Sequence, residues 1–157
     1  MSETDDYKRF LAISLRLLSI RPRSVQEILA RLKKYSHDQY LINQIIDKLK
    51  SDKFLDDAKF AEWLIESRSR TRPRGKRLLI QELKSKGIEL STFNSQLSTV
   101  DEADLAFQAL QKKSKSWANL PSKSYQLKAK SYLYSRGFSW DAIEKAIKKG
   151  YNDEDVS

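Results

Sequence analysis

One leucine returns twice at an almost constant interval, and that return limits the possible folds more than any other feature. Leu32, Leu83 and Leu133 stand 51 and 50 residues apart. Ile88 and Phe138 follow Leu83 and Leu133 by five residues, directly behind Gly87 and Gly137. Ile42, Phe93 and Ile143 come next, then Ile46, Leu97 and Ile147 four residues further on. Upstream, Leu11-Ala12-x-x-Leu15, Phe60-Ala61-x-x-Leu64 and Leu105-Ala106-x-x-Ala109 resemble one another. A repeat of about fifty residues is one supersecondary unit, too small to bury its own apolar face, so neighbouring copies must stack.

The copies read as helical. Within them apolar residues recur at three and four, as in Leu11, Leu15, Leu18 and in Leu41, Ile42, Ile45, Ile46, Leu49, with no strand-like alternation. Only four glycines and three prolines interrupt 157 residues. The pattern predicts an all-α fold with helices near 7–19, 24–35, 38–50, 57–70, 75–86, 91–98, 102–114, 123–136 and 140–149. These group into three tandem three-helix repeats, residues 7–50, 51–99 and 100–150, forming an elongated array, straight or curved. Acidic tails, residues 1–6 and 151–157, flank them. Ser24-Val-Gln-Glu27 reads as a capping box, and Asp56-Asp57 as a cap and an acid at a helix head. Gly87 and Gly137 fall where a left-handed C-cap followed by an apolar residue is needed.

Several function classes are excluded. The chain has no cysteine, hence no disulfide framework, thiolate metal site or cysteine nucleophile. Its single histidine, His37, lies between Ser36 and Asp38 and reads as a surface turn. Asp56 and Asp57 are explained by capping rather than acid–base chemistry, and no Gly-rich phosphate loop is present. No apolar run approaches a membrane span, and the N-terminus is acidic where a secretory signal is basic. The expectation is a cytoplasmic, monomeric non-enzyme without metal or cofactor.

Charge supplies the positive signal. Lys and Arg number 30 against 21 Asp and Glu, for a net +9; residues 7–150 carry +15 and each tail carries −3. Such a field favours a polyanion or an acidic protein surface. The densest run, Arg68-Ser-Arg-Thr-Arg-Pro-Arg-Gly-Lys-Arg77, offers forked donors to phosphate or carboxylate oxygens. Its Pro73-Arg74-Gly75 segment reads as flexible backbone that lets several arginines converge, with Arg77 and Lys84 seven apart on the following helix. Tyr125, Tyr132 and Tyr134 interleave with Lys128, Lys130 and Arg136 in an aromatic–basic pattern, although Tyr125 and Tyr132 read as partly core. Trp63, Phe107 and Trp140 read as core. The binding candidates are therefore Arg68, Arg70, Arg72, Arg74, Lys76, Arg77, Lys84, Lys128, Lys130 and Arg136. A helix-turn-helix reading fails, because the third helix of the second repeat, about residues 91–98, has no Lys or Arg to reach base edges.

Phe54-Leu55-Asp56-Asp57-Ala58-Lys59-Phe60-Ala61 resembles the YLDDxxFA signature of the RecX family of recombinase regulators. Glu82-Leu83-Lys84-Ser85-Lys86-Gly87-Ile88 is similar to the family's ELxxKGI, and Ser135-Arg136-Gly137-Phe138 to its RRGF. The leading helix, residues 12–18, and Ser24 through Leu32 also resemble the family's start. Asp56, Asp57, Phe60, Gly87 and Gly137 are on this reading structural residues. The resemblance implies a three-repeat helical protein that binds RecA filaments and mainly inhibits filament extension, strand exchange, ATP hydrolysis and the co-protease activity behind the SOS response. Single- and double-stranded DNA are implied partners. The alternative is a general DNA- or RNA-binding helical-repeat protein acting without RecA. One departure is Arg72-Pro73-Arg74-Gly75-Lys76-Arg77, where the family often carries a Tyr-Gly-Pro type of turn.

Overall fold

A computed structural model describes residues 3–155, and along them the three-and-four spacing becomes nine α-helices and no strand. They are α1 (Glu3–Ile20), α2 (Val25–Lys33), α3 (Gln39–Ser51), α4 (Asp57–Thr71), α5 (Lys76–Ser85), α6 (Leu90–Ser98), α7 (Glu102–Ser114), α8 (Ser122–Ser135) and α9 (Trp140–Asp155), with a 3₁₀ turn at Lys115–Trp117. The all-α reading holds. The flanking tails are shorter than expected: α1 starts at Glu3 and α9 continues to Asp155, so both tails are largely helical. Acids in the first turn of α1, Asp5 and Asp6 among them, face the positive end of the helix dipole, which favours the extra turn. The outermost tail residues, 1–2 and 156–157, lie outside the described residues.

Contacts divide the chain into two units. The first comprises residues up to Trp63 with Leu83–Phe93; the second comprises Leu64–Glu82 with residues from Asn94 onward. Helices α4, α5 and α6 each contribute residues to both. The first unit closes α1, α2 and α3 over Phe10, Ile28, Leu32, Ile42, Ile45 and Leu49. In the second, α7, α8 and α9 enclose Ala106, Leu110, Ala129, Leu133, Phe138, Ile143 and Ala146, with Tyr125 and Tyr132 partly buried against them. Leu32, Leu83 and Leu133 are each fully buried.

The repeat alignment needs one correction, in α1. Phe60, Ala61 and Leu64 are buried, as are Leu105, Ala106 and Ala109, but the first-repeat residues in the same role are Phe10 and Ser14, one position earlier than Leu11 and Leu15. A polar residue at the inward position masked the register. The buried Ser14 hydroxyl is satisfied by donating to the Phe10 carbonyl, 2.9 Å away.

Caps set the helix ends. Ser24 Oγ accepts from Glu27 N while Glu27 Oε1 accepts from Ser24 N, a reciprocal capping box. Asp56 Oδ1 accepts from Ala58 N and Lys59 N at the head of α4. Asp57 does something else: its Oδ1 accepts from Val25 N at 2.9 Å, so the first residue of α4 satisfies an orphan donor at the start of α2. Gly87 (φ +81°) and Gly137 (φ +89°) end α5 and α8 in left-handed geometry. Behind them Ile88 N reaches Leu83 O and Phe138 N reaches Leu133 O, which folds each apolar residue back onto its helix.

A candidate polyanion-binding surface

The basic run is less available than its composition suggests. Glu82, on the next helix, receives both Nε and Nη2 of Arg68 and, at 2.8 Å, Nη1 of Arg74. Hydrogen bonding to Glu82 raises the Arg68 guanidinium above its ordinary value, against a smaller opposing effect of burial. Two of the ten candidates thus hold α4, the loop and α5 together within the second unit. Arg77 donates to the Tyr134 carbonyl at 2.8 Å, and Arg136 Nη2 donates to the Arg72 and Pro73 carbonyls at 3.3 and 3.5 Å. Arg70 is exposed and only 4.0 Å from Glu66 one turn back, a pair worth little.

Gly75 is not there for flexibility. Its N–H donates to the Arg136 carbonyl at 2.9 Å, and a Cβ at Gly75 would collide with the Gly137 backbone. The loop is pinned from both sides, and glycine is required because two backbones meet.

What the pinning creates is a basic cavity of about 470 Å³, lined by Thr71, Arg72, Pro73, Ala109, Lys112, Lys113, Tyr132 and Arg136. Four cationic side chains converge there and no carboxylate is among the lining residues. Lys112 Nζ donates to the Thr71 carbonyl at 3.0 Å, and Lys113 Nζ sits 5.4 Å from the centroid of the Tyr132 ring. Arg136 Nε is buried without a hydrogen-bond partner. Donors gathered without a counter-charge suit an oxyanion such as a phosphodiester, whose binding relieves their mutual repulsion. Arg72 and Arg136 were legible in the sequence as candidates; Lys112 and Lys113 were missed, because a Lys-Lys pair in the last turn of a helix looks like ordinary dipole compensation.

The remaining candidates are spread. Lys128 and Lys130 are exposed on α8, Lys76 is half-buried at the start of α5, and none of them makes an ion pair among the described residues. Lys84 is exposed in the first unit. His37 is exposed just ahead of α3. Phe107 is buried and Trp63 half-buried against Phe60, but Trp140 departs from the expected core role: it is 56% exposed and stacked on Tyr134. As the first residue of α9 it precedes the inward-facing Ala142 and Ile143, so its side chain misses the core. Among the described residues no group of three or more His, Asp or Glu is placed to hold a metal ion, and no helix is long and apolar enough to cross a membrane.

Comparison with known proteins agrees with the three-repeat architecture. Residues 11–49 match the family model described as RecX, first three-helix domain; residues 56–92 match the second and residues 101–147 the third. The chain is 31% identical over 136 residues to the regulatory protein RecX of Chlorobium limicola, covering 87% of this chain and 86% of that one. It is 32% identical over 155 residues to regulatory protein RecX of Bacillus licheniformis, covering 96% of this chain but 59% of that longer protein. The crystal structure of RecX from Lactobacillus salivarius superposes with a TM-score of 0.80 at 23% identity, covering 93% of this chain and 97% of that one, and so supports the fold. With three consecutive domain matches and relatives of this similarity along nearly the whole length, the chain belongs to the RecX family of regulatory proteins.

Proposed function

We propose that this protein binds RecA–DNA filaments and restrains them, limiting filament extension and with it strand exchange, ATP hydrolysis and SOS co-protease activity. Membership of the RecX family carries the reading, and the carboxylate-free basic cavity supports it physically. A filament presents nucleic-acid phosphates beside acidic side chains, and the +15 body of this chain is drawn to both. The contacts to phosphate are assigned to Arg72, Lys112, Lys113 and Arg136 in the cavity, joined by Arg70, Lys76, Lys128 and Lys130 around the second unit and by Lys84 in the first. Arg68 and Arg74 act instead by holding the loop on Glu82. The protein acts by binding rather than turnover, as a cytoplasmic monomer without cofactor.

The deciding experiment is RecA ATPase on single-stranded DNA with this protein at substoichiometric ratio. Inhibition is expected. Unchanged RecA turnover, combined with tight binding to DNA alone, would favour the second reading of a general nucleic-acid binder.

A further inference from the structure

Three exposed groups on the second unit meet around one ring, that of Tyr134. The Tyr134 and Trp140 rings are stacked with centroids 5.0 Å apart and an interplanar angle of 12°. The Arg77 guanidinium lies over the same Tyr134 ring, 5.0 Å from its centroid. Arg77 is further fixed by its hydrogen bond to the Tyr134 carbonyl, so the group is preorganised. Tyr134 is 48% exposed and Trp140 56%. A folded chain rarely leaves two large aromatics outside its core in parallel contact, and the outer face of the indole carries no ring or cation contact among the described residues. The exposed indole thus offers a flat π-surface.

We infer that Trp140 is a stacking platform for an unpaired nucleobase, which would add a layer to the Tyr134–Trp140 stack. The inference rests on the nucleic-acid part of the reading above and names a site within it. A base is favoured over an apolar protein side chain by the charge around the platform. Helix α8, which carries Tyr134, has Lys123, Lys128 and Lys130 and no acid, and Lys130 precedes Tyr134 by one turn on the same face. On α9, Asp141 is engaged by Lys145 at 3.0 Å and Glu144 stands one turn beyond Trp140, while the Glu102 carboxylate beside it accepts from Ser139 N at 2.6 Å. The strand backbone on this reading runs over α8, away from Glu144 and Glu102. Base–aromatic stacking of this kind tolerates any sequence and discriminates single strands from duplex, whose bases are already stacked.

The test uses the full chain and two labelled oligonucleotides of equal length, one of dT and one of abasic sugar-phosphate, followed by anisotropy at low salt. Trp140→Leu is expected to bind the dT strand about tenfold more weakly, with Trp140→Phe intermediate. Affinity for the abasic strand and for duplex DNA should change less than twofold, and the salt dependence on dT should keep its slope, since no phosphate contact is lost. Circular dichroism melting checks that both variants fold. Equal dT binding by wild type and Trp140→Leu overturns the platform, as does a parallel loss on dT and abasic strands, which would mark a structural effect. Loss of RecA inhibition with dT binding intact would also overturn it and make Trp140 a protein contact. If the wild-type chain itself fails to bind dT, the nucleic-acid part of the proposed function falls, and the platform with it.

Discussion

Two loops, 51 residues apart, begin from nearly the same sequence: Arg21-Pro22-Arg23-Ser24 ahead of α2 and Arg72-Pro73-Arg74-Gly75 ahead of α5. They finish as opposites. In the first, Ser24 caps the helix and Glu27 turns back to take Arg21, with Lys86 Nζ also 3.6 Å from the carboxylate. In the second, the place of Ser24 belongs to Gly75, whose missing side chain admits the Gly137 backbone. The place of Glu27 belongs to Leu78, which packs against Gly137. The acid that serves this loop, Glu82, comes from a turn later in α5 and takes Arg68 and Arg74, leaving Arg72 facing Lys112, Lys113 and Arg136. A local acid pairs with the first arginine of the first loop. The second has its acid displaced, and its outer cations stay unbalanced.

Exchanging the diagnostic residues should break this difference most visibly. Gly75→Ser places a side chain where the Gly137 backbone stands and is expected to cost about 3 kcal/mol, the upper range for overpacking. The reciprocal Ser24→Gly removes a cap at a position that tolerates glycine and should cost only a few tenths. Thermal or urea melting of both variants checks the contrast; equal losses would mean the two loops are built alike after all. Next in size is Glu82→Gln, which removes the charged acceptor from two guanidinium groups and is expected to cost about 2 kcal/mol.

Glu27→Gln should cost less, about 1 kcal/mol, and its signature is in pH. Burial works to raise the Glu27 pKa, but hydrogen bonds from Arg21 and Ser24 and the charges of Arg21 and Lys86 outweigh it and the net shift is downward. A depressed carboxylate contributes stability that is complete above its unfolded value and is lost as pH falls through the folded one. The wild-type chain should therefore lose stability below the ordinary carboxylate range, and Glu27→Gln should flatten part of that acid limb. An unchanged acid limb in the variant would show that Glu27 gains nothing from its two cations.

These contrasts also explain what the sequence could and could not reveal. Helix positions, glycine caps at 87 and 137 and the capping box at Ser24 all depend on neighbours within a few residues, so periodicity and local chemistry expose them. Ser14 hid the register of α1 because a polar residue took a core position. Gly75 suggested a flexible loop because its reason, a second backbone 62 residues away, is tertiary. The same holds for the arginine run. Composition counted six cations between 68 and 77, but only packing decides that Glu82 occupies two of them and that Lys112 and Lys113 join a third. Trp140 was assigned to the core because an aromatic among apolar neighbours usually is; one residue of helical phase put it outside.

The change with least effect on the fold is the one that addresses function. Arg72, Lys112 and Lys113 replaced together by Gln remove three of the four cavity cations while leaving Arg136, which pins the loop, in place. Arg72 and both lysines are exposed, and the structural bond given up is the Lys112 donation to Thr71 O, so the melting temperature should shift by only a few degrees. Each phosphate contact on a single strand contributes about 0.7 to the log–log salt slope, so the triple variant should lower that slope by at most about 2. Arg21→Gln is the control in the first loop, because removing a cation already paired with Glu27 should leave the slope within experimental scatter. RecA inhibition should weaken for the cavity variant and persist for the control. If both variants lower the slope equally, the attraction comes from total charge rather than from the cavity. If the cavity variant loses RecA inhibition at unchanged slope, its three cations face acidic protein side chains instead of phosphate, and the displaced acid of the second loop serves a protein interface.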